Sequence, residues 1–189
     1  MILTDEEALK IKCSDVTDIE EYKIIREKLE KELIASAEIG MPGIGLAAPQ
    51  IGIAKNMAII RINKDISYPL SVDLVNCKIE NQYDKAIFNG EGCLSFPGRY
   101  ETTMRYREIH VTNNMVEPYT FIGTGLFAVA CQHELDHLSG ILLPEIAISS
   151  LKLPDKKKNR PNDPCPCGKI NKETKTIFKY KKCCGLNLK

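Results

Sequence analysis

Apolar residues at Ile19, Tyr22, Ile25, Leu29 and Leu33 recur every three or four positions, which places them on one face of a helix. Thr17, with Glu20 three residues later, reads as the capping box that starts this helix, and Gly40 to Pro42 as its stop. A glycine-punctuated stretch, GIGLAAPQIG, follows at 43–52. KNMAIIRI at 55–62 then reads as a strand, alternating SVDLVNCKIE at 71–80 as a second, and REIHVT at 107–112 as a third. From Thr124 to Leu138 the chain is apolar on nearly every side, in LFAVACQHELDHL, the pattern of a helix buried inside a domain. Gly140 is its natural stop. No internal repeat is visible.

Beyond ILLPEIAISSLKL the composition turns to Pro, Lys, Asn and Asp, which divides the 189 residues into a body, 1–151, a basic linker, 152–160, and a small Cys-rich module, 161–189. Charge divides at the same place. Residues 1–151 hold 14 Lys/Arg against 22 Asp/Glu, whereas 152–189 hold 12 against 3. A basic tail on an acidic body points to a polyanionic partner, with a solvated lysine-rich linker as the plainer reading. No apolar run approaches the roughly 20 residues that span a bilayer, which predicts no membrane insertion. The start, MILTDEEALK, has neither the apolar core of a signal peptide nor the basic character of a transit peptide, so a cytoplasmic location is expected. Eight cysteines in such a setting indicate metal or catalytic thiols rather than disulfides.

Within the buried helix, His133 and His137 are four residues apart and can hold one metal ion, while Glu134, one position round, can reach a water on it. This His-Glu-x-x-His arrangement is that of zinc peptidases, so the third ligand decides the reading. The extended peptidase pattern fits as far as Gly140 but puts Leu143 where its third histidine belongs. Glu145 follows closely behind a proline, and Asp155 and Asp163 fall in the basic tail. A thiolate is the remaining candidate, and Cys93, in EGCLSFP, would complete a Cys–His–His set with a fourth position open for water.

Three segments in this order, GIGLAAPQ (43–50), EGCLS (91–95) and QHELDH (132–137), resemble the three signature motifs of the peptide deformylase family. The resemblance covers the body and implies an α+β fold in which β-sheets surround a central helix carrying His133 and His137. It implies hydrolysis of the N-formyl group from the initiator formyl-methionine of nascent peptides, with release of formate. The implied metal ligands are Cys93, His133 and His137, holding Fe2+, for which Zn2+ or Ni2+ can substitute. Glu134 would move protons without binding the metal, and the Gln50 amide and the Leu94 backbone N–H would stabilise the oxyanion. Ile44 and Gly45 would take the peptide as an added strand, Gly92 would also bind the substrate, and Leu126, Val129 and Ala130 would line the methionine pocket. A metallopeptidase cleaving internal bonds, and a zinc-dependent binding protein with a vestigial enzyme body, are the alternatives.

In the tail, DPCPCGK and KYKKCCG resemble the SEC-C zinc module, in which Cys165, Cys167, Cys183 and Cys184 would form a closed structural Zn2+ site. KINKETKTIF makes the stretch between the cysteine pairs longer than in that module. The basic tail would bring an acidic enzyme to the ribosome, whose RNA is a dense polyanion. Cys13, Cys77 and Cys131 read as small buried hydrophobes, and His110 as a half-exposed strand residue. Glu91 and Arg105 are a candidate pair supporting the metal ligands.

Overall fold

The computed structural model describes residues 1–62, 70–114 and 117–149, together with Lys179. Residues 1–151 form one compact unit and 152–189 a second. The proposed linker and the four tail cysteines lie outside the described residues.

The described elements run α1 (Glu6–Leu9), α2 (Ile19–Glu38), β1 (Gly45–Ala47), a 3-10 turn (Ala48–Ile51), β2 (Met57–Ile62), β3 (Leu70–Val75), β4 (Lys78–Gly92), β5 (Tyr100–Asn113), β6 (Tyr119–Thr124), α3 (Gly125–Leu138) and α4 (Leu143–Ile146). The strands form two antiparallel sheets of three, ordered β1-β2-β3 and β4-β5-β6. Helix α3 packs against strands of both sheets, chiefly β5, β2 and β1.

Helix α2 follows its sequence pattern, with two corrections. Ile25, Leu29 and Leu33 are buried, but Ile19 lies off that face and is exposed. The cap is Asp18 rather than Thr17: its carboxylate accepts from the Glu20 backbone N–H at 2.8 Å, a partner one residue nearer the helix. At the other end Gly40 takes φ +80°, which lets the Met41 N–H reach the Ser36 carbonyl at 2.9 Å and closes the helix.

Strand β2 is buried on both faces, which explains why MAIIRI does not alternate. Met57 and Ile59 join Ile25, Leu29 and Leu33 in a core beneath α2, while Ala58 and Ile60 join Ile109, Val111, Ala128 and Cys131 beneath α3. The alternating run SVDLVNCKIE is two strands, not one. Asn76 takes φ +49°, ending β3 at Val75, and β4 begins two residues later in the other sheet. Asparagine tolerates that left-handed conformation, and its amide is also held by the Val16 backbone, accepting from N–H at 2.9 Å and donating to C=O at 2.8 Å. REIHVT lies in the C-terminal half of the 14-residue β5.

His110 is half-exposed and pairs with Glu108 at 3.0 Å. Cys13 and Cys77 are half-buried and Cys131 is buried. Burial pushes the Cys77 thiol up to about 12, which keeps it protonated at neutral pH. No helix of the described residues is long and apolar enough to cross a membrane.

Candidate active site

Three chain segments meet at one end of α3. Strand β1 passes into the 3-10 turn through Pro49, which suits the first turn of a helix and leaves Gln50 only 2% exposed. The Gln50 Oε1 accepts from the Ala47 backbone N–H at 2.8 Å, so its amide nitrogen faces the loop that joins β4 to β5. There Nε2 donates to Ser95 Oγ at 3.1 Å and lies 3.6 Å from Cys93 Sγ. The loop is tightened by a Phe96 N–H to Cys93 carbonyl bond of 3.0 Å.

Helix α3 contributes His133, Glu134 and His137. Cys93, His133 and His137 bring one donor atom each within 4.8 Å of one another, and no other such cluster is present among the described residues. His137 Nε2 stands 3.2 Å from Cys93 Sγ. That is near the ~3.5 Å expected of a nitrogen and a sulfur sharing one tetrahedral ion at bond lengths of about 2.1 and 2.3 Å. His133 Nδ1 lies 2.7 Å from Glu91 Oε1, a bond that places its proton on Nδ1 and leaves the Nε2 lone pair for a ligand role.

Glu91 is itself held from several sides. Arg105 donates to both its oxygens, at 2.9 and 2.5 Å, and Thr103 donates at 2.5 Å. Arg105 then reaches Asp136, on α3, at 2.6 Å. The candidate pair read from the sequence is therefore the middle of a chain running from Asp136 through Arg105 and Glu91 to His133. Burial opposes ionisation of Glu91, yet these hydrogen bonds and the Arg105 charge hold its carboxyl at about 2. The two histidines diverge. Burial disfavours the charge on each, but with no ion bound hydrogen bonds to Cys93 and Glu91 raise His133 to about 10, so an ion taking Nε2 displaces a proton from it, whereas His137, facing the His133 and Arg105 charges, falls to about 3.

Glu134 stands outside the donor cluster. Burial raises its carboxyl to about 7, and its Oε2 has no hydrogen-bond partner; His137 Nδ1 is likewise unpartnered. A buried carboxylate oxygen without a donor is costly unless something else is to occupy the space before it. One thiolate, two imidazoles and a free carboxylate oxygen fit a divalent ion with an open fourth position.

The site opens into a cavity of about 520 Å³. Val129 and Ala130 line it from α3, while Ile44 and Leu126 stand partly exposed at its mouth. Gly43, Gly45, Gly92 and Leu94 border it as well. Among the described residues strand β1 pairs with β2 alone, and the Ile44 carbonyl accepts from the Arg61 N–H at 2.7 Å, so the alternation of an antiparallel strand turns the Gly45 backbone outward. Phe88 and Tyr100 also line the cavity; they lie in stretches with no turn or metal signal to mark them. A second cavity, of about 540 Å³, lies against Cys77, Gln82, Tyr106 and Asp136.

Among the described residues the peptidase ligand candidates do not join the site, and Asp155 and Asp163 lie outside those residues. Leu143 is 2% exposed in the core, and Glu145 pairs with Lys10 at 2.5 Å and accepts from the Leu142 N–H at 2.9 Å. Comparison with known proteins decides the matter: residues 1–152 match the model of the family described as polypeptide deformylase. The chain belongs to the peptide deformylase family. It is similar to peptide deformylase 1 of Bacillus subtilis, 38% identical over 130 residues that cover 67% of this chain and 79% of that protein. Among solved structures, a probable peptide deformylase from Synechococcus phage S-SSM7 superimposes with a TM-score of 0.68 at 32% identity, covering 77% of this chain and 98% of that one. A peptide deformylase from Acinetobacter baumannii, solved with Met-Ala-Ser bound, gives 0.65 at 26% identity, covering 77% and 96%. This deformylase is a hydrolase that removes the N-formyl group from nascent peptides, and the family consists of metalloenzymes.

Proposed function

We propose that Cys93, His133 and His137 hold the catalytic metal, that Glu134 moves the protons, and that Gln50 and the Leu94 N–H stabilise the oxyanion as formyl-methionine is hydrolysed to formate and a free amine. The observation that carries this is the separation of duties around α3: three donor atoms lie within 4.8 Å of one another, while the adjacent Glu134 carboxylate has an unpartnered oxygen.

A divalent ion held there supplies Lewis-acid polarisation of the formyl carbonyl and brings the pKa of a water toward 7. Glu134 takes the proton that the attacking water gives up. It then delivers that proton to the leaving nitrogen, which cannot depart as an anion. Gln50, locked through its Oε1, aims an N–H at the oxygen on which charge develops, and such a donor is typically worth about 3 kcal/mol. Glu91 fixes the His133 tautomer and carries the anionic charge facing its Nδ1–H.

The outward edge at Gly45, with Gly92 opposite, takes the peptide backbone, and the cavity lined by Ile44, Phe88, Leu126, Val129 and Ala130 takes the methionine side chain. The Met-Ala-Ser peptide seen with the Acinetobacter baumannii relative supports an N-terminal methionine in this place. By family resemblance the ion is Fe2+, replaceable by Zn2+ or Ni2+; a thiolate with two imidazoles suits all three.

In the tail, residues 152–160 act as a linker and Cys165, Cys167, Cys183 and Cys184 close a structural Zn2+ site at 161–189. The charge of this segment, 12 Lys/Arg against 3 Asp/Glu, supports docking to the ribosome, where formylated chains emerge in the cytoplasm.

The test is formate release from formyl-Met peptides and from unformylated peptides of the same sequence, with metal measured on the same sample. Formate from the first and no internal cleavage of the second supports the reading. Cleavage of internal bonds would replace it with the peptidase.

A further inference from the structure

Ser95 takes no part in the roles just assigned, yet it is 1% exposed and lies against the one side-chain amide to which the oxyanion is assigned. A carboxamide has two N–H groups and a carbonyl, and all of them must be accounted for in a site where Gln50 is 2% exposed. The carbonyl is taken by the Ala47 N–H at 2.8 Å, which excludes the flipped orientation, since an amide nitrogen there would meet another donor. Of the two N–H groups, one points at Ser95 Oγ, 3.1 Å away. The other is directed toward Cys93 Sγ at 3.6 Å, the side on which the metal ligands gather.

We propose that Ser95 is the positioning residue of the oxyanion donor: by accepting one Gln50 N–H it fixes the plane of the amide, so that the second N–H is aimed into the site before substrate arrives. The Ala47 bond alone leaves the amide free to turn about the axis of that single contact. The Ser95 bond removes this freedom. Preorganisation of this kind is what makes a donor effective, because no reorientation is required as charge develops. Ser95 lies two residues beyond Cys93, so the loop that delivers the thiolate also delivers the hydroxyl, and their spacing is fixed by the Phe96-to-Cys93 turn between β4 and β5.

This inference rests on the Gln50 reading, and a double-mutant cycle separates the two. Ser95→Ala is expected to lower kcat about 10-fold with KM changed less than about 2-fold, less than the roughly 10²- to 10³-fold expected for loss of the donor itself in Gln50→Ala. Ser95→Thr, which keeps the hydroxyl, is expected to retain most of the activity, and Ser95→Gly gives a second hydroxyl-free variant if Ser95→Ala does not fold. In the Gln50→Ala background Ser95→Ala is expected to have no further effect on kcat. A readout independent of turnover is the ¹H–¹⁵N side-chain amide signal of Gln50 in the metal-loaded enzyme, whose two protons are expected to be distinct and slow to exchange, and to exchange faster in Ser95→Ala. An equal loss from Ser95→Ala with and without Gln50, or an unchanged Gln50 amide signal, overturns the positioning role. A Gln50→Ala enzyme with full kcat overturns the oxyanion reading beneath it.

Discussion

Gly45 leaves room for Glu134. A Cβ on residue 45 would lie 2.9 Å from the Glu134 carboxyl carbon and 3.1 Å from its Cγ, and closer still to Oε1. Gly45 has no positive φ, so alanine meets no backbone penalty there, and the obstacle is the Glu134 side chain itself. Gly45→Ala is expected to push Glu134 from its place and lower kcat by roughly 10- to 100-fold, since a shift of about 1 Å in a catalytic group costs on that order. Overpacking is expected to lower stability by about 1–3 kcal/mol. Steady-state rates with a thermal melt on the same protein check this, and full activity in Gly45→Ala would show that Glu134 acts from another position.

Removing the Glu134 charge is expected to stabilise the fold while it abolishes the chemistry. The Glu134 carboxylate is 4% exposed with one oxygen unpartnered, so the folded state carries its desolvation cost. Glu134→Ala relieves that cost at the expense of a small cavity, and Glu134→Gln relieves it without one. Both variants are expected to keep one active-site metal and to lose about 10²- to 10⁴-fold in turnover. Glu134→Gln is expected to melt higher than the parent enzyme. Metal analysis and melting curves test this together; metal lost with the carboxylate would make Glu134 a ligand.

Glu91 and Arg105 should respond with the opposite sign. Glu91→Ala removes the acceptor of the His133 Nδ1 proton and strands Arg105, whose side chain is 7% exposed, with Asp136 as its remaining partner. A loss of about 3–5 kcal/mol in stability is expected, together with roughly 10- to 100-fold weaker metal binding. Arg105→Met strands the same carboxylates but leaves His133 its acceptor, so its stability is expected to fall comparably while metal affinity falls less. Metal titration of the two variants distinguishes them, and equal losses of metal affinity would place the effect on general unfolding.

These relationships were legible in the sequence to different degrees, according to how local they are. His133, Glu134 and His137 lie within two turns of one helix, so their spacing alone set them beside one another. Ile25, Leu29 and Leu33 showed the buried face of α2 for the same reason. Cys93 meets His137 across 44 residues, and neither periodicity nor spacing carries that information; exclusion of other ligands and family resemblance did. Sheet membership was the least legible. SVDLVNCKIE alternates except for the adjacent apolar pair Leu74 and Val75, a break of one residue that does not by itself announce a change of sheet, because that change depends on Val16, distant in sequence, binding the Asn76 amide. Ser95 and Asp136 fall inside the motifs EGCLS and QHELDH but take no role from the resemblance, and Phe88 gave no signal, since a serine, a helical aspartate and a strand phenylalanine are ordinary until their neighbours are known.

Away from the site, Asp73 gives the fold an acid-sensitive joint. Burial disfavours its charge, but hydrogen bonds from Tyr22 and Arg61 and the charges of Arg61 and Arg26 outweigh that, and its carboxyl is held below the ordinary 3.8. A depressed carboxyl stabilises the fold fully above its unfolded value and loses that contribution as pH falls through the folded one. Stability is therefore expected to be flat in this respect above about pH 5 and to fall with acid below about pH 4. Asp73→Asn, which cannot titrate, is expected to be less stable at pH 7 by about 1–3 kcal/mol and to approach the parent protein as the pH is lowered. Urea unfolding at pH 7 and pH 3 measures the gap, and a gap that widens in acid would contradict the assignment.

The basic tail offers a prediction in two parts, one for its metal and one for its partner. The proposed four-thiolate Zn2+ site has no open position and would be structural, so the 189-residue chain is expected to hold two metal ions and protein ending after Leu151 only one. Four thiolates around Zn2+ carry about −2, so the segment stays basic when metallated. On the proposed docking, RNA is expected to repel the body, with 14 Lys/Arg against 22 Asp/Glu, and to attract the tail, with 12 against 3. Truncation is therefore expected to leave activity on short formyl-Met peptides nearly intact while reducing co-sedimentation with ribosomes. Binding by the full chain is expected to weaken steeply with salt, since each phosphate neutralised releases counterions. Replacing Cys165, Cys167, Cys183 and Cys184 together by serine separates charge from fold: it keeps the lysines but removes the zinc. Ribosome binding that survives this change is carried by charge alone, and binding lost with the zinc requires the folded module. Equal co-sedimentation with and without the tail, or binding insensitive to salt, would leave the module to a partner recognised by other means.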